Sequence, residues 1–462
     1  MRFNSFEFAF FLAALLALVP FFPRGRPRHL LLLVASWVFY GSWSWGFLLL
    51  LWLTTGLDWA LGGLIARSEV VWRRRALLGA SLASNIGILC YFKFGNFFLE
   101  NIAFVSGVNA EPFYLHVVIP LGISFYTFQA MSYTIDVYRR TLAPCPSLVD
   151  FMLFVSFFPQ LVAGPIVRAA EFLPQLRRTE PVREDEVVQG VELFLLGLFK
   201  KTVIADNVAI AADQVFNAPE GWSGFAILVA TALFWIQIYC DFSAYSTMAR
   251  GLGLFFGFQL PQNFDYPMLQ TNPAEYRRAW HMTLGRWFTD YVYLPLGGSR
   301  VGDLRLVRNI LITWGLTGLW HGASWHFVFW GLYNGLNLTV YALVMRHKRW
   351  SLPEFRGKKL LGWSGQVALL LPSAALFRAQ DLDSFGQMAR KVACLTSGQS
   401  LAPEWVAVIG LLTGVHVLCY FHYDENFLNR LRWPARLGIV SATASAIALL
   451  AATGRPFLYF QF

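Results

Sequence analysis

From residue 29 to residue 65 the chain runs almost without a charge. One membrane-crossing helix needs roughly 20 apolar residues, so this run is too long for a single crossing. Gly41-Ser42-Trp43-Ser44-Trp45 supplies a turn that makes it two. Trp favours the membrane–water boundary, which agrees with a break there. Comparable runs recur at residues 6–22, 76–92, 116–136, 148–165, 187–210, 222–243, 308–325, 326–345, 360–377, 403–421 and 437–452. Such a pattern predicts a single all-α domain over residues 1–462, a polytopic membrane helix bundle of roughly 11–13 segments. Composition agrees: only 14% of the residues are charged, against about 25% in a soluble domain. Disorder, a disulfide-stapled mini-protein and an ordinary cytosolic enzyme are excluded.

The charge sum is +10, but the basic residues form short clusters between apolar runs rather than a stripe for nucleic acid. Those clusters orient the chain. Arg24, Arg26 and Arg28 follow the first run, which predicts a cytoplasmic loop and an extracytoplasmic N-terminus. Arg139 and Arg140 precede residues 148–168 and Arg177, Arg178 and Arg183 follow them. That run therefore reads as re-entrant, broken by Pro159 and Pro165 and shielded within a bundle that encloses a polar cavity. Residues 258–307 hold the longest stretch without a crossing. On one helical wheel Trp280, Leu284, Trp287, Phe288 and Tyr291 share a face, the pattern of an interfacial helix with Arg277 and His281 at its edge.

Five cysteines without C-x-x-C spacing and histidines without H-x-x-x-H spacing carry no disulfide framework and no metal site. Nor is there a nucleophile elbow or a phosphate-binding glycine loop. His321 stands out because it lies in Leu319-Trp320-His321-Gly322-Ala323-Ser324-Trp325, midway through an apolar stretch. The ends of that stretch are basic: Arg305 and Arg308 before it, Arg346, His347, Lys348 and Arg349 after it. An ionisable group at that depth is a functional candidate, with a hydrogen-bonded core histidine as the bland alternative. His281 is the second candidate, against a headgroup contact, while His326 reads as structural. Asp241 falls in an unusually polar patch and reads as a structural partner of Lys200 or Lys201. These residues leave two classes open: a transferase with a buried general base, or a transporter with a protonatable site.

Six motifs in order favour the first. Phe157-Phe158-Pro159-Gln160-Leu161-Val162-Ala163-Gly164-Pro165-Ile166-Val167-Arg168 resembles a signature of the membrane-bound O-acyltransferase (MBOAT) family. So do Asp241-Phe242-Ser243, the run Pro261–Pro267, Trp280-His281 with Trp287–Tyr291, Tyr293–Gly298 and Leu319–Trp325, followed by the closing run Pro456–Phe462. The combination is similar to the branch of bacterial polysaccharide O-acetyltransferases that includes alginate-modifying members. Asn334 departs from the pattern, standing where relatives often carry histidine.

The resemblance implies that His321 is the essential histidine, in a tunnel joining the two sides of the membrane, with His281 second. It implies acetyl-CoA, or another acyl-CoA, as donor substrate and no permanently bound cofactor. Arg277, Arg278 and Trp320 are the residues expected to contact that donor. The implied partners are an exopolysaccharide acceptor, a periplasmic or cell-surface acetyltransferase and the lipid bilayer, with location in a bacterial inner membrane. D-alanyl transfer from a carrier protein to teichoic acid, and a transporter with a protonatable His321, remain the alternatives.

Overall fold

The computed structural model describes residues 1–347, 357–452 and 455–458, so Lys348, Arg349 and Tyr459–Phe462 lie outside the described residues. The described residues fold into helices; Trp222 and Gln399 form an isolated bridge. Seven of these helices are long and apolar enough to cross a membrane. Other expected crossings are shorter or interrupted: residues 148–165 form Leu148–Ser156 and the single turn Phe158–Leu161, with Pro159 in its first turn. Proline is tolerated there because the first N–H groups of a helix have no intrahelical partner. The 29–65 stretch breaks into helices Arg26–Gly41 and Trp45–Arg67, the second opened by the Ser44 hydroxyl, which accepts from the Phe47 N–H at 3.5 Å.

The chain packs as two compact units. The first comprises Met1–Leu198 and Tyr245–Pro261. Its interior is aromatic, with Phe8, Phe151, Phe154, Phe157, Phe158 and Phe172 wholly buried. A polar knot sits within it: the Asp58 carboxylate accepts from the Ser81 hydroxyl at 2.5 Å and from the Asn85 amide at 2.9 Å. His29 bonds Asp150 at 2.8 Å.

The second unit takes residues 199–244 and those from 262 onward. Its centre is a hairpin of helices Asp303–His321 and Trp325–His347. Glycines set its closeness, because a Cβ on Gly318 would stand 2.1 Å from the Phe327 carbonyl oxygen, and one on Gly331 2.2 Å from that of Trp314. Only Gly lets two helix backbones approach so far. Helix Lys358–Arg378 lies antiparallel to the second arm, tied by Asn334 and Ser373 at 3.0 Å and by the Tyr333 hydroxyl donating to the Leu369 carbonyl at 2.9 Å.

Asp241 is a buried ion partner, and the lysine is Lys201 rather than Lys200. The Lys201 ammonium reaches Asp206 at 2.8 Å and Asp241 at 2.7 Å, all three almost inaccessible. The cluster holds the C-terminal segment: Lys201 donates to the Pro456 carbonyl at 3.0 Å, and Asp241 accepts from the Leu458 N–H at 2.9 Å. Two carboxylates about one cation would be costly in an apolar interior without these extra bonds.

Residues 258–307 differ from the single amphipathic helix expected of them. Helices Pro273–Ala279 and Met282–Phe288 are separated at Trp280 and His281. His281 has φ +40°, a left-handed conformation that is strained for a residue with a Cβ. The preceding loop enforces the break: the Asp265 N–H donates to the Ala279 carbonyl and the Met282 N–H to that of Asn263, each at 2.9 Å. The Asn263 side-chain oxygen also accepts from the Thr283 N–H at 3.2 Å and its hydroxyl at 3.0 Å. A helical wheel cannot anticipate this, because the loop that imposes it lies almost 20 residues upstream.

Candidate functional site

The second unit encloses a cavity of about 680 Å³, within the size range of small-molecule sites. Its wall can be built from helix periodicity. Leu306, Ile310, Thr313, Thr317 and His321 line it from the first hairpin arm, and Trp330, Asn334, Leu338, Ala342 and Arg346 from the second. Spacings of three and four place each set on one helix face. At 1.5 Å per residue these faces run about 22–24 Å. Leu370, Ser373, Ala374 and Phe377 add a third face.

Because neighbouring helices are antiparallel, the wall is layered. One end is His321, Trp330 and Phe377, whose rings stand edge-to-face with centroids 5.0, 5.3 and 5.1 Å apart. One turn back come Thr317, Asn334 and Ser373; further turns bring Leu338 and Leu370, then Ile310 and Ala342. Arg346, Tyr293 and Ser299 line the opposite end, where Arg346 reaches Asp303 at 3.3 Å. Arg277 and Arg278 also line the wall, and Arg277 donates to the Thr289 hydroxyl at 3.4 Å.

Both candidate histidines face this cavity. His321 is the last residue of its helix, followed by extended Gly322, where a Cβ would strike the Phe327 ring at 2.1 Å. His281 is brought there by the backbone break and is buried, not at the edge of an interfacial face. The Phe242 ring meets it at 4.6 Å. The Trp320 ring contacts both imidazoles, 5.9 Å from His281 and 4.9 Å from His321, but is not among the wall residues of the cavity. Desolvation, and secondarily the nearby His321, hold the His281 pKa well below the ordinary histidine value. His281 is thereby kept neutral at physiological pH. His326 is turned elsewhere, its Nδ1 2.9 Å from the Ser324 hydroxyl.

The arrangement offers a neutral imidazole at 281, an imidazole at 321 on an aromatic floor, and guanidinium groups a long reach away. A neutral imidazole can accept a proton from a hydroxyl, and guanidinium groups pair with phosphate. Sequence reading missed Arg346 as a wall residue, the Trp330 and Phe377 floor, and the Thr317, Asn334 and Ser373 layer. Arg346 was signalled only as rim charge, and the others become neighbours only once three helices are paired.

Residues 84–371 match the membrane-bound O-acyltransferase family, MBOAT. The chain is 33% identical to the probable alginate O-acetylase AlgI of Pseudomonas putida, with 100% of each chain covered. It is 34% identical to the peptidoglycan O-acetyltransferase of Helicobacter pylori over 79% of this chain and 72% of that one. Similarity to the teichoic acid D-alanyltransferase of Streptococcus thermophilus is lower, at 25% identity over 52% of this chain and 64% of that one.

Proposed function

Because the chain belongs to the membrane-bound O-acyltransferase family, and is a multi-pass membrane O-acyltransferase, we propose that it moves an acetyl group from acetyl-CoA towards an extracytoplasmic polysaccharide hydroxyl. One observation carries the reading: His321 and His281 share a cavity whose far end bears Arg346. From phosphate-ester oxygen to sulfur, a pantetheine arm has the reach of four extended residues, about 14 Å. With its diphosphate and acetyl ends it fits a wall about 22 Å long.

In this reading CoA enters from the cytoplasm, its phosphates beside Arg277, Arg278 and Arg346, while the thioester lies beside His321. The His321 imidazole takes the acceptor hydroxyl's proton as the oxygen bonds to the thioester carbonyl carbon. Collapse of the tetrahedral adduct breaks the carbon–sulfur bond, and the imidazolium returns its proton to the leaving thiolate. General-base assistance of this kind is worth typically 10²–10⁴-fold. His281 orients the thioester, and Trp320, outside the cavity wall, packs against both imidazoles. The acceptor approaches through a tunnel from the opposite side, so the acetyl group crosses without CoA. An inner-membrane location, an extracytoplasmic N-terminus and hand-over to a periplasmic or cell-surface acetyltransferase that modifies an exopolysaccharide complete the proposal. Polysaccharide and peptidoglycan acetylation by relatives at 33–34% identity supports acetyl transfer over D-alanyl transfer.

The test is sidedness. Proteoliposomes loaded with radiolabelled acetyl-CoA and bathed in candidate glycans are expected to place label on the outer glycan, dependent on His321. Solute flux without thioester cleavage would overturn the reading in favour of a transporter.

A further inference from the structure

Within the cavity wall, one layer is polar on all three helices. Counted one turn back from the ring contacts of His321, Trp330 and Phe377, Thr317, Asn334 and Ser373 fall between the aromatic floor and the level of Thr313, Leu338 and Leu370. Thr317 and Asn334 are each one helical turn, about 6 Å, from His321 and Trp330 respectively. Ser373 is tied to Asn334 across the helix interface at 3.0 Å.

The hydrogens of this layer are committed. The Asn334 amide donates to the Trp330 carbonyl at 2.8 Å and to the Ser373 hydroxyl at 3.0 Å. The Ser373 hydroxyl donates to the Asn334 side-chain oxygen at 3.2 Å, and that of Thr317 to the Thr313 carbonyl at 2.8 Å. Each hydroxyl and amide oxygen has more than one lone pair. What the layer presents to the cavity is therefore acceptor capacity, a collar for an N–H group.

We infer that this collar reads the first amide of a pantetheine thioester and so sets the depth at which the acyl group stops beside His321. The inference rests on the thioester-donor reading above. Its support is the match of two lengths. Four bonds separate the thioester carbonyl carbon from the first amide nitrogen, an extended reach of about 5 Å. The collar lies about one turn above the imidazole. An amide drawn into an apolar tube loses its bonds to water and must regain them or lose affinity. Here its N–H meets the layer that is polar on all three helices when the thioester is level with His321. The collar is a positioning and specificity element; the proton transfer remains with His321.

The test compares two small acetyl donors. S-acetyl-N-acetylcysteamine carries the first amide, and S-pentyl thioacetate has an alkyl chain in its place. His321-dependent thiol release is followed in the wild-type enzyme, in Thr317→Val and in the double variant Asn334→Leu with Ser373→Ala, which removes both partners together. The wild-type enzyme is expected to prefer the amide donor by about tenfold or more in kcat/KM, the scale of one well-placed hydrogen bond. Each variant is expected to bring that ratio close to one while retaining cleavage of the alkyl donor. Equal use of both donors by the wild-type enzyme overturns the collar, as does an unchanged ratio in variants that merely lose activity. Acetyl-CoA and an acetylated phosphopantetheinyl carrier protein, run alongside, show which carrier brings the arm. Cleavage of none of the four donors overturns the donor reading and the collar with it.

Discussion

A close backbone approach inside the hairpin of the second unit gives a quantitative prediction. At Gly318, three residues before His321, an added Cβ would sit 2.1 Å from the Phe327 carbonyl oxygen and 3.1 Å from the Gly331 nitrogen. A carbon meets a carbonyl oxygen comfortably near 3.3 Å at closest. Gly318→Ala must therefore push the hairpin arms apart by about 1 Å, because both offending atoms are backbone and cannot rotate away. Overpacking of this kind costs about 1–3 kcal/mol. The shift carries His321 with it, and a 1 Å misplacement of a reacting group can cost about 10²-fold in rate. The control lies one turn earlier: a Cβ on Gly315 would stand 3.6 Å from the Leu332 side chain, an ordinary contact. Gly315→Ala is thus expected to be neutral or to gain up to about 1 kcal/mol of helix propensity. The assay is thermal unfolding of both variants in detergent, paired with acetyl transfer per folded molecule. Wild-type stability and activity in Gly318→Ala would refute the argument that the hairpin spacing sets the imidazole position.

Other consequences follow from the buried charges. His281 has a folded pKa well below its ordinary 6.5, caused first by desolvation. The unfolded chain therefore binds the extra proton between the folded pKa and 6.5, and stability falls as pH drops through that window, by at most about 1.4 kcal/mol per pH unit. Unfolding scans from pH 5 to pH 8 should show this slope in the wild-type protein and a shallower one in His281→Asn; identical slopes would contradict it. Lys201→Met leaves Asp206 and Asp241 buried without their shared cation and is expected to cost about 3–5 kcal/mol. Adding Asp206→Asn and Asp241→Asn should recover part of the loss in melting temperature, and no recovery would count against the triad. Asp58→Ala strips a carboxylate from Ser81 and Asn85 and should destabilise the protein by about 1.5–3 kcal/mol without altering donor preference, checked by unfolding and a two-donor assay.

What the sequence disclosed follows the range of its signals. Apolar runs and the break at Gly41–Trp45 are local, and helices Arg26–Gly41 and Trp45–Arg67 sit where those signals put them. His321 was visible because an ionisable residue inside a long apolar stretch is conspicuous at any fold. The pairing of Asp241 with a nearby lysine was visible for the same reason, but choosing Lys201 over Lys200 required knowing which side chain turns inward. The break at His281 was not legible, because Asn263 and Asp265 impose it from a distance and hydrophobic periodicity continues through it. The polar collar was not legible either. Asn334 stands out in the sequence only as a departure from the family pattern and Thr317 and Ser373 not at all; the three acquire meaning together only when three helices bring them to one cavity wall.

The most direct test of the account is single-turnover cleavage of acetyl-CoA, at saturating donor and with acceptor glycan present, by the wild-type enzyme and by His321→Ala of equal melting temperature. The expected rate in the variant is lower by about 10²–10⁴-fold. A variant that cleaves the thioester at the wild-type rate would contradict the assignment of His321 as the general base.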